Sequence, residues 1–321
     1  MSCCVYHGPA LAAYGFGRGH PFGTDRLAAF WTQCRAAGLD DRLRVRAPVQ
    51  AQDADLLRFH TADYLEQVKR QSASGRGYLD SGDTPAFAGM YEAAATVVGS
   101  VLDAAARVLA GECRRAFVPI AGLHHARRDG AAGFCVFNDC GVLIETLRAV
   151  HGLTRIAYVD IDAHHGDGVF YAFEDDPDLI FVDLHEDGRH LYPGTGAATE
   201  TGLGPAAGTK LNIPLPPYSD DAAVHAVWPA AEAFLRDARP EFVILQCGAD
   251  SVRGDPLTHL QYSRGLHGEI ARRLCAVADD CCRGRLVALG GGGYDRANLA
   301  AAWTGVVAAL AEEIQNGRGG P

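Results

Sequence analysis

The chain has 321 residues, 48% of them hydrophobic and 21% charged, which is enough apolar material for one large α/β core and too ordinary a balance for a disordered or fibrous protein. Its formal net charge of -10 argues against a general nucleic-acid binder, which needs basic residues to meet phosphates. No apolar run approaches the length of a membrane span, and the N-terminus lacks the basic region and apolar core of a signal peptide, so neither a membrane partner nor export is expected.

In chain order, residues 3–7 form a short apolar opening, expected as the first strand. Residues 15–23 are a loop containing Gly19-His20-Pro21. Thr24 is expected to cap a helix from Asp25 whose apolar face carries Leu27, Phe30 and Trp31. Residues 53–70 read as two short helices, 75–85 as a polar loop, and 86–109, rich in Ala and Val, as a long helix. A strand over 115–120 runs into Ala121-Gly122-Leu123-His124-His125, and a loop over 130–138 precedes a helix over 139–150. Further strands are expected at 155–162, 179–184, 211–215, 241–245 and 285–289. Helices are expected at 221–238, 263–278 and 298–314, with a long surface loop over 191–208. This alternation predicts an α/β fold, a mostly parallel central sheet flanked by helices on both faces. No linker divides the chain, so residues 1–321 read as a single domain. Ten cysteines without CxxC spacing or a compact framework read as reduced thiols of a cytoplasmic protein.

The densest chemistry lies in Tyr158-Val159-Asp160-Ile161-Asp162-Ala163-His164-His165-Gly166-Asp167-Gly168. An apolar run leads into three carboxylates and two imidazoles, which reads as a buried strand delivering ligands from its C-terminal end into a tight loop. Residues two apart on a strand share a face, so Asp160 and Asp162 share one, and His164 joins them if the strand continues that far. Open α/β sheets bind ligands beyond the strands' carboxyl ends. Asp162 and His164 read as a candidate half of a zinc site, because imidazole and carboxylate both bind zinc. Asp250, after the apolar strand and Gly248-Ala249, completes a three-ligand set with a position left for water. Alone, Asp250 reads equally well as a helix N-cap; beside Asp162 and His164 the metal reading is the stronger.

His124 and His125 would point to opposite sides at a strand end, but in a loop both can line one cavity. Acid–base work on water needs an imidazole near neutral pKa held by a carboxylate, and Asp160 and Asp167 flank the ligands as candidate holders. Tyr294 follows Gly290 to Gly293, where a phenol can donate to a developing oxyanion. The competing phosphate-loop reading fails on spacing, which fits neither the P-loop nor the dinucleotide fingerprint. Phe134 and Tyr192, in glycine-containing loops, are candidate channel walls.

Together these motifs resemble the zinc-dependent histone deacetylase family, a superfamily that includes acetylpolyamine amidohydrolases and has an arginase-like fold. The resemblance runs, in family order, through Gly19-His20-Pro21, Gly122 to Ala126, Gly133 to Asp139, Asp160 to Gly168, Pro193 to Gly196, Gln246 to Ser251 and Gly290 to Tyr294. It implies that Asp162, His164 and Asp250 are zinc ligands, with iron(II) an alternative at such a set. It implies His125, held by Asp167, as general base, His124, held by Asp160, as electrostatic partner, and Tyr294 as oxyanion donor. Gly133, Phe134, Tyr192, Asp83 and Leu257 then contact substrate, Asp83 as a rim aspartate, and Arg26 lines an internal cavity behind the metal. The family's structural potassium would sit at Asp160, Asp162, His164, Asp183 and Leu184, with Asp183 standing where many members have serine.

The leading expectation is a deacylase of acylated lysine in proteins or peptides. The alternative is an acetylpolyamine amidohydrolase or deacylase of another small acylated amine. Leu257, where one polyamine-selective relative has glutamate, favours the peptide; the acidic stretch Glu186-Asp187 favours the polyamine. A non-catalytic acyl-binding module would not require His124, His125 and Tyr294, and a two-metal ureohydrolase is disfavoured by the single-metal ligand set. An oligomer is compatible with all of these readings.

Overall fold

The computed structural model describes residues 3–312. Its first half contains β1 (Cys3–Tyr6), α1 (Pro9–Ala12), α2 (Arg26–Ala36), β2 (Leu43–Arg46), α3 (Asp53–Leu56), α4 (Ala62–Ser74), α5 (Met90–Leu109) and β3 (Arg115–Val118). There follow α6 (Asp139–Ala149), β4 (Ile156–Asp160), α7 (Asp167–Ala172), β5 (Leu179–Glu186), β6 (Lys210–Leu215), α8 (Asp221–Ala238), β7 (Phe242–Gln246), α9 (Leu266–Cys282), β8 (Leu286–Leu289) and α10 (Arg296–Leu310). The eight strands form one sheet in the order β2-β1-β3-β8-β7-β4-β5-β6, and every pairing is parallel.

Parallel strands are covered on both faces, and β1, β3, β4, β5, β7 and β8 are buried along their whole length. The covering helices form two groups. In one, α10 packs with α9 and α2, and α8 with α9; in the other, α5 packs with α6, α4 and α1. Strand β3 touches both α5 and α10, and α1 reaches α2 as well as α5. Trp303 of α10 is fully buried, with its ring 6.0 Å from both Phe30 and Phe117, and its Nε1 donates to the Cys247 carbonyl.

Several boundaries differ from expectation for local reasons. Thr24 does not cap α2: the N-cap residue is Asp25, whose carboxylate pairs with Arg296 instead. Helix α5 starts at Met90 because Gly89 adopts a left-handed conformation just before it. Asn138 caps α6 by accepting from the Gly141 amide, and Asp295 caps α10 by accepting from Asn298. Helix α9 begins at Leu266 and α10 ends at Leu310, and the expected extension to residues 313 and 314 lies outside the described residues. The sheet-edge strand β2 was not anticipated.

The topology sets the place of the site. From β4 the chain proceeds outward to β5 and β6, whereas from β7 it proceeds the other way to β8. The β4/β7 boundary is therefore a switch point, where a crevice opens beyond the carboxyl ends of the strands. Trp303→Ala is expected to lower unfolding stability by ~3–5 kcal/mol, as for other fully buried aromatics; a urea midpoint unchanged from the parent chain would show that α10 is not part of the cooperative core.

Candidate metal and acid–base site

Strand β4 ends at Asp160, two residues short of the expected 162, so the continuation on which a shared face with His164 depended does not form. A staircase of side-chain acceptors replaces it. Asp160 Oδ1 accepts from the Asp162 amide, and Asp162 Oδ1 accepts from the His164 amide, both at 3.0 Å. Each step turns the chain, and Asp162 and His164 converge without a shared strand face. Asp250 comes in from the β7 side, on the short turn Ala249–Ser251. It is not a helix cap: its Oδ1 accepts from the Ala163 amide at 2.9 Å.

Donor atoms of Asp162, His164 and Asp250 lie within 4.8 Å of one another, and all three residues are buried. His164 Nδ1 is 3.0 Å from Asp162 Oδ1 and 3.3 Å from Asp250 Oδ2. Asp250 Oδ2 makes no hydrogen bond, although it is buried. Burial and the Asp162 charge push the Asp250 carboxyl up to about 7. Two desolvated carboxylates around one imidazole, with an orphaned oxygen, fit a divalent cation, whose charge offsets theirs. Three protein ligands of this kind leave a coordination position open for water or substrate, as in catalytic zinc sites. Gln246 Nε2 and the Gly292 amide each donate to Asp162 Oδ2 at 2.9 Å, which fixes that carboxylate.

His124 and His125 sit in a loop and share one cavity, with ring centroids 4.1 Å apart. Asp139 holds the loop by accepting from the Gly122 and Leu123 amides. Asp160 Oδ2 lies 2.8 Å from His124 Nδ1, and Asp167 Oδ1 lies 2.6 Å from His125 Nδ1. The two Nε2 atoms face each other at 3.1 Å. Burial opposes charge on His124, but Asp160 and Asp162 outweigh it and raise that imidazole to about 10. Burial and the neighbouring His124 cation lower His125 to about 4, against Asp167. Burial and mutual proximity thus separate the two imidazoles in basicity, His124 upward under Asp160 and Asp162 and His125 downward beside His124.

Tyr294 is held 5.9 Å, centroid to centroid, from Phe134. Burial and the charges of Asp250 and Asp162 raise its phenol well above the ordinary range, so it remains a proton donor. Arg26 lies behind it, fully buried, donating from Nε to the Gly293 carbonyl and from Nη2 to those of Gly291 and Gly292. Its Nη1 has no partner.

Tyr192 lies on the outer side, 5.1 Å from the His125 ring, and is half exposed. Phe134 adopts φ 68°, unusual for a bulky residue, and is held there by Tyr14 OH on its carbonyl and Thr84 Oγ1 accepting from its amide. A Cβ at Gly133 would fall 2.4 Å from His125 Cδ2, so only glycine lets this loop pass the base. Asp83 is exposed on the adjoining rim loop, where Asp80 accepts from the Gly82, Asp83 and Thr84 amides. Leu257 is 38% exposed.

The acidic stretch Glu186-Asp187 is engaged by the fold. Glu186 and Asp187 are not free acidic groups. Glu186 is buried and accepts from both the amide and Nδ1 of His259, and Asp187 pairs with Arg189. Asp183, buried on β5, is engaged by His185 Nδ1 and the Gly166 amide, both at 2.8 Å, and its neighbour Leu184 is likewise buried. Gln246, Asp139, Asp80 and Asp255 were missed as site-building residues; their partners are mostly main-chain amides, which leave no spacing motif. A Cβ at Gly292 would lie 2.0 Å from Asp250 Oδ2 and 2.9 Å from Asp162 Oδ2. Gly292→Ala is therefore expected to reduce bound metal from about one ion per chain to nearly none; full metal content by elemental analysis would place the ion elsewhere.

Comparison with known proteins places the chain among relatives. The profile of the histone deacetylase domain matches residues 20–310. The acetoin utilization protein AcuC of Bacillus subtilis is 38% identical over 90% of this chain and 76% of its own length. A probable deacetylase of Archaeoglobus fulgidus is 35% identical, covering 91% and 81% respectively. Histone deacetylase 19 of Arabidopsis thaliana is 34% identical over 98% of this chain, which spans 63% of that protein. In the crystal structure of the HDA15 HD domain the same fold recurs, with a TM-score of 0.88 at 27% identity over 97% of this chain and 89% of that one. The chain belongs to the histone deacetylase family, and its sheet is the arginase/deacetylase fold.

Proposed function

We propose that this protein is a zinc-dependent amidohydrolase that removes acetyl or related acyl groups from lysine side chains. The observation that carries the reading is the buried Asp162, His164 and Asp250 cluster, with its unpaired Asp250 oxygen, set beside two carboxylate-held histidines. Asp162, His164 and Asp250 would hold the zinc, which would supply Lewis acidity towards water and the amide carbonyl. His124, kept charged by Asp160, supplies positive potential beside the reacting carbonyl. His125, neutral and oriented by Asp167, accepts the proton of the attacking water at Nε2 and returns it to the departing amine. The Tyr294 phenol donates to the developing oxyanion. Phe134 and Tyr192, with Gly133 between Phe134 and the base, flank the path of the alkyl chain. We extend the reading to a potassium ion beside Asp160, Asp162, His164, Asp183 and Leu184, where buried carboxylates supply the negative charge such an ion needs.

The substrate assignment rests on the rim. With Glu186 taken by His259 and Asp187 by Arg189, that segment offers no free carboxylate to a cationic polyamine, and Leu257 is apolar. Asp83 remains exposed for a peptide backbone. The zinc-loaded protein is expected to prefer an acetyl-lysine peptide over N-acetylputrescine by at least ~10-fold in kcat/KM, the equivalent of ~1.4 kcal/mol; the reverse preference assigns it to polyamines. Tyr294→Phe is expected to keep its zinc and lose ~100-fold or more in kcat. A loss under ~3-fold, far below that magnitude, removes the donor role.

A further inference from the structure

Tyr294 follows a run of four glycines with no side chains to anchor it, and Gly291 and Gly293 adopt φ of 71° and 113°. Something outside the run must fix where the phenol sits. From behind, Arg26 holds the carbonyls of Gly291, Gly292 and Gly293. Two side chains reach the main chain of the tyrosine itself: Arg296 Nη1 donates to the Tyr294 carbonyl at 3.0 Å, and the Asp255 carboxylate takes its amide. Asp255 Oδ2 accepts from the Tyr294 amide at 2.7 Å, and its Oδ1 accepts from the Leu257 amide at 3.0 Å. Using both oxygens locks the Asp255 rotamer, and the residue is only 7% exposed.

The segment bearing Asp255 is itself anchored. Its base is closed by the Tyr262 amide on the Ser251 carbonyl and the Arg253 amide on that of Tyr262. The Thr258 hydroxyl donates to the carbonyl of Asp250, and His259 is gripped by buried Glu186 at the end of β5. One short loop therefore runs from a candidate metal ligand, past the amide of Tyr294, to the partly exposed Leu257.

We propose that Asp255 is a positioning residue that places the Tyr294 phenol for its work on the oxyanion. The proposal rests on the reading of Tyr294 as oxyanion donor. Asp255 touches no reacting atom; it acts through the tyrosine main chain. A misplacement of ~1 Å in a catalytic group can cost ~100-fold in rate, so a lost anchor at this amide should appear in kcat.

The test is a double-mutant cycle on the zinc-loaded, full-length protein with an acetyl-lysine peptide. Asp255→Ala is expected to lower kcat by ~10- to 100-fold with KM within ~3-fold and zinc content unchanged. In the Tyr294→Phe background the same substitution is expected to cost less than ~3-fold, because the group it positions is already gone. Equal losses in both backgrounds, or a kcat within ~3-fold of the parent in the single variant, overturn the proposal. A harmless Tyr294→Phe overturns the donor reading and this coupling with it; a damaging Tyr294→Phe beside a harmless Asp255→Ala overturns the coupling alone. If the alanine chain does not fold, Asp255→Asn, which leaves one acceptor for two amides, carries the same cycle and the same criteria.

Discussion

Two carboxylates, Asp162 and Asp250, are held in the protein interior within reach of one imidazole, and much of the surrounding structure exists to make that arrangement tolerable. Desolvated like charges repel strongly, and each needs donors or a cation. Asp162 receives the Gln246 amide group and the Gly292 and His164 main-chain amides, so its charge is distributed over fixed dipoles. Asp250 receives the Ala163 amide on one oxygen only, and the other is left facing the cluster. That asymmetry separates Asp250, with one oxygen outside any hydrogen bond, from a carboxylate satisfied by its own fold, and it suits a metal-ligand role.

The second requirement is closeness. His125 can lie against the Phe134 loop only because residue 133 lacks a Cβ, and Asp162 and Asp250 can meet behind Tyr294 only because residue 292 lacks one. Buried Arg26 then compensates for a glycine run that cannot hold itself, taking three consecutive carbonyls with one guanidinium. The same packing brings His124 and His125 so near each other that they cannot share similar basicity. Asp160 and Asp162 keep the first charged, and its charge helps keep the second neutral.

Much of this was legible in the sequence, and the reason is physical. Strands buried on both faces must be continuous apolar runs, so β4, β7 and β8 announced themselves, together with the polar residues that follow each of them. Strand β2, Leu-Arg-Val-Arg at the sheet edge, carries no such run and was invisible. The convergence of Asp162 and His164 was expected from strand periodicity and instead comes from carboxylates turning the backbone, a route to the same place that periodicity cannot reveal. Asp255, Gln246 and Asp139 act on main-chain amides or on partners far along the chain, where sequence spacing carries no signal.

Glu186 shows the same blindness with a larger consequence. Next to Asp187 and Gly188 it looked like part of an exposed acidic loop, yet β5 continues through it and buries it completely. Its partner His259 lies 73 residues away. That carboxylate anchors His259, two residues after Leu257. The chemistry of the rim thus follows from how the fold engages each acidic group: Glu186 is buried on His259, Asp187 pairs with the exposed Arg189, and Asp83 faces solvent with the Thr84 hydroxyl and the neighbouring Asp80 beside it. The number of acidic residues near the mouth says little about the substrate; the number left without a partner says a good deal more.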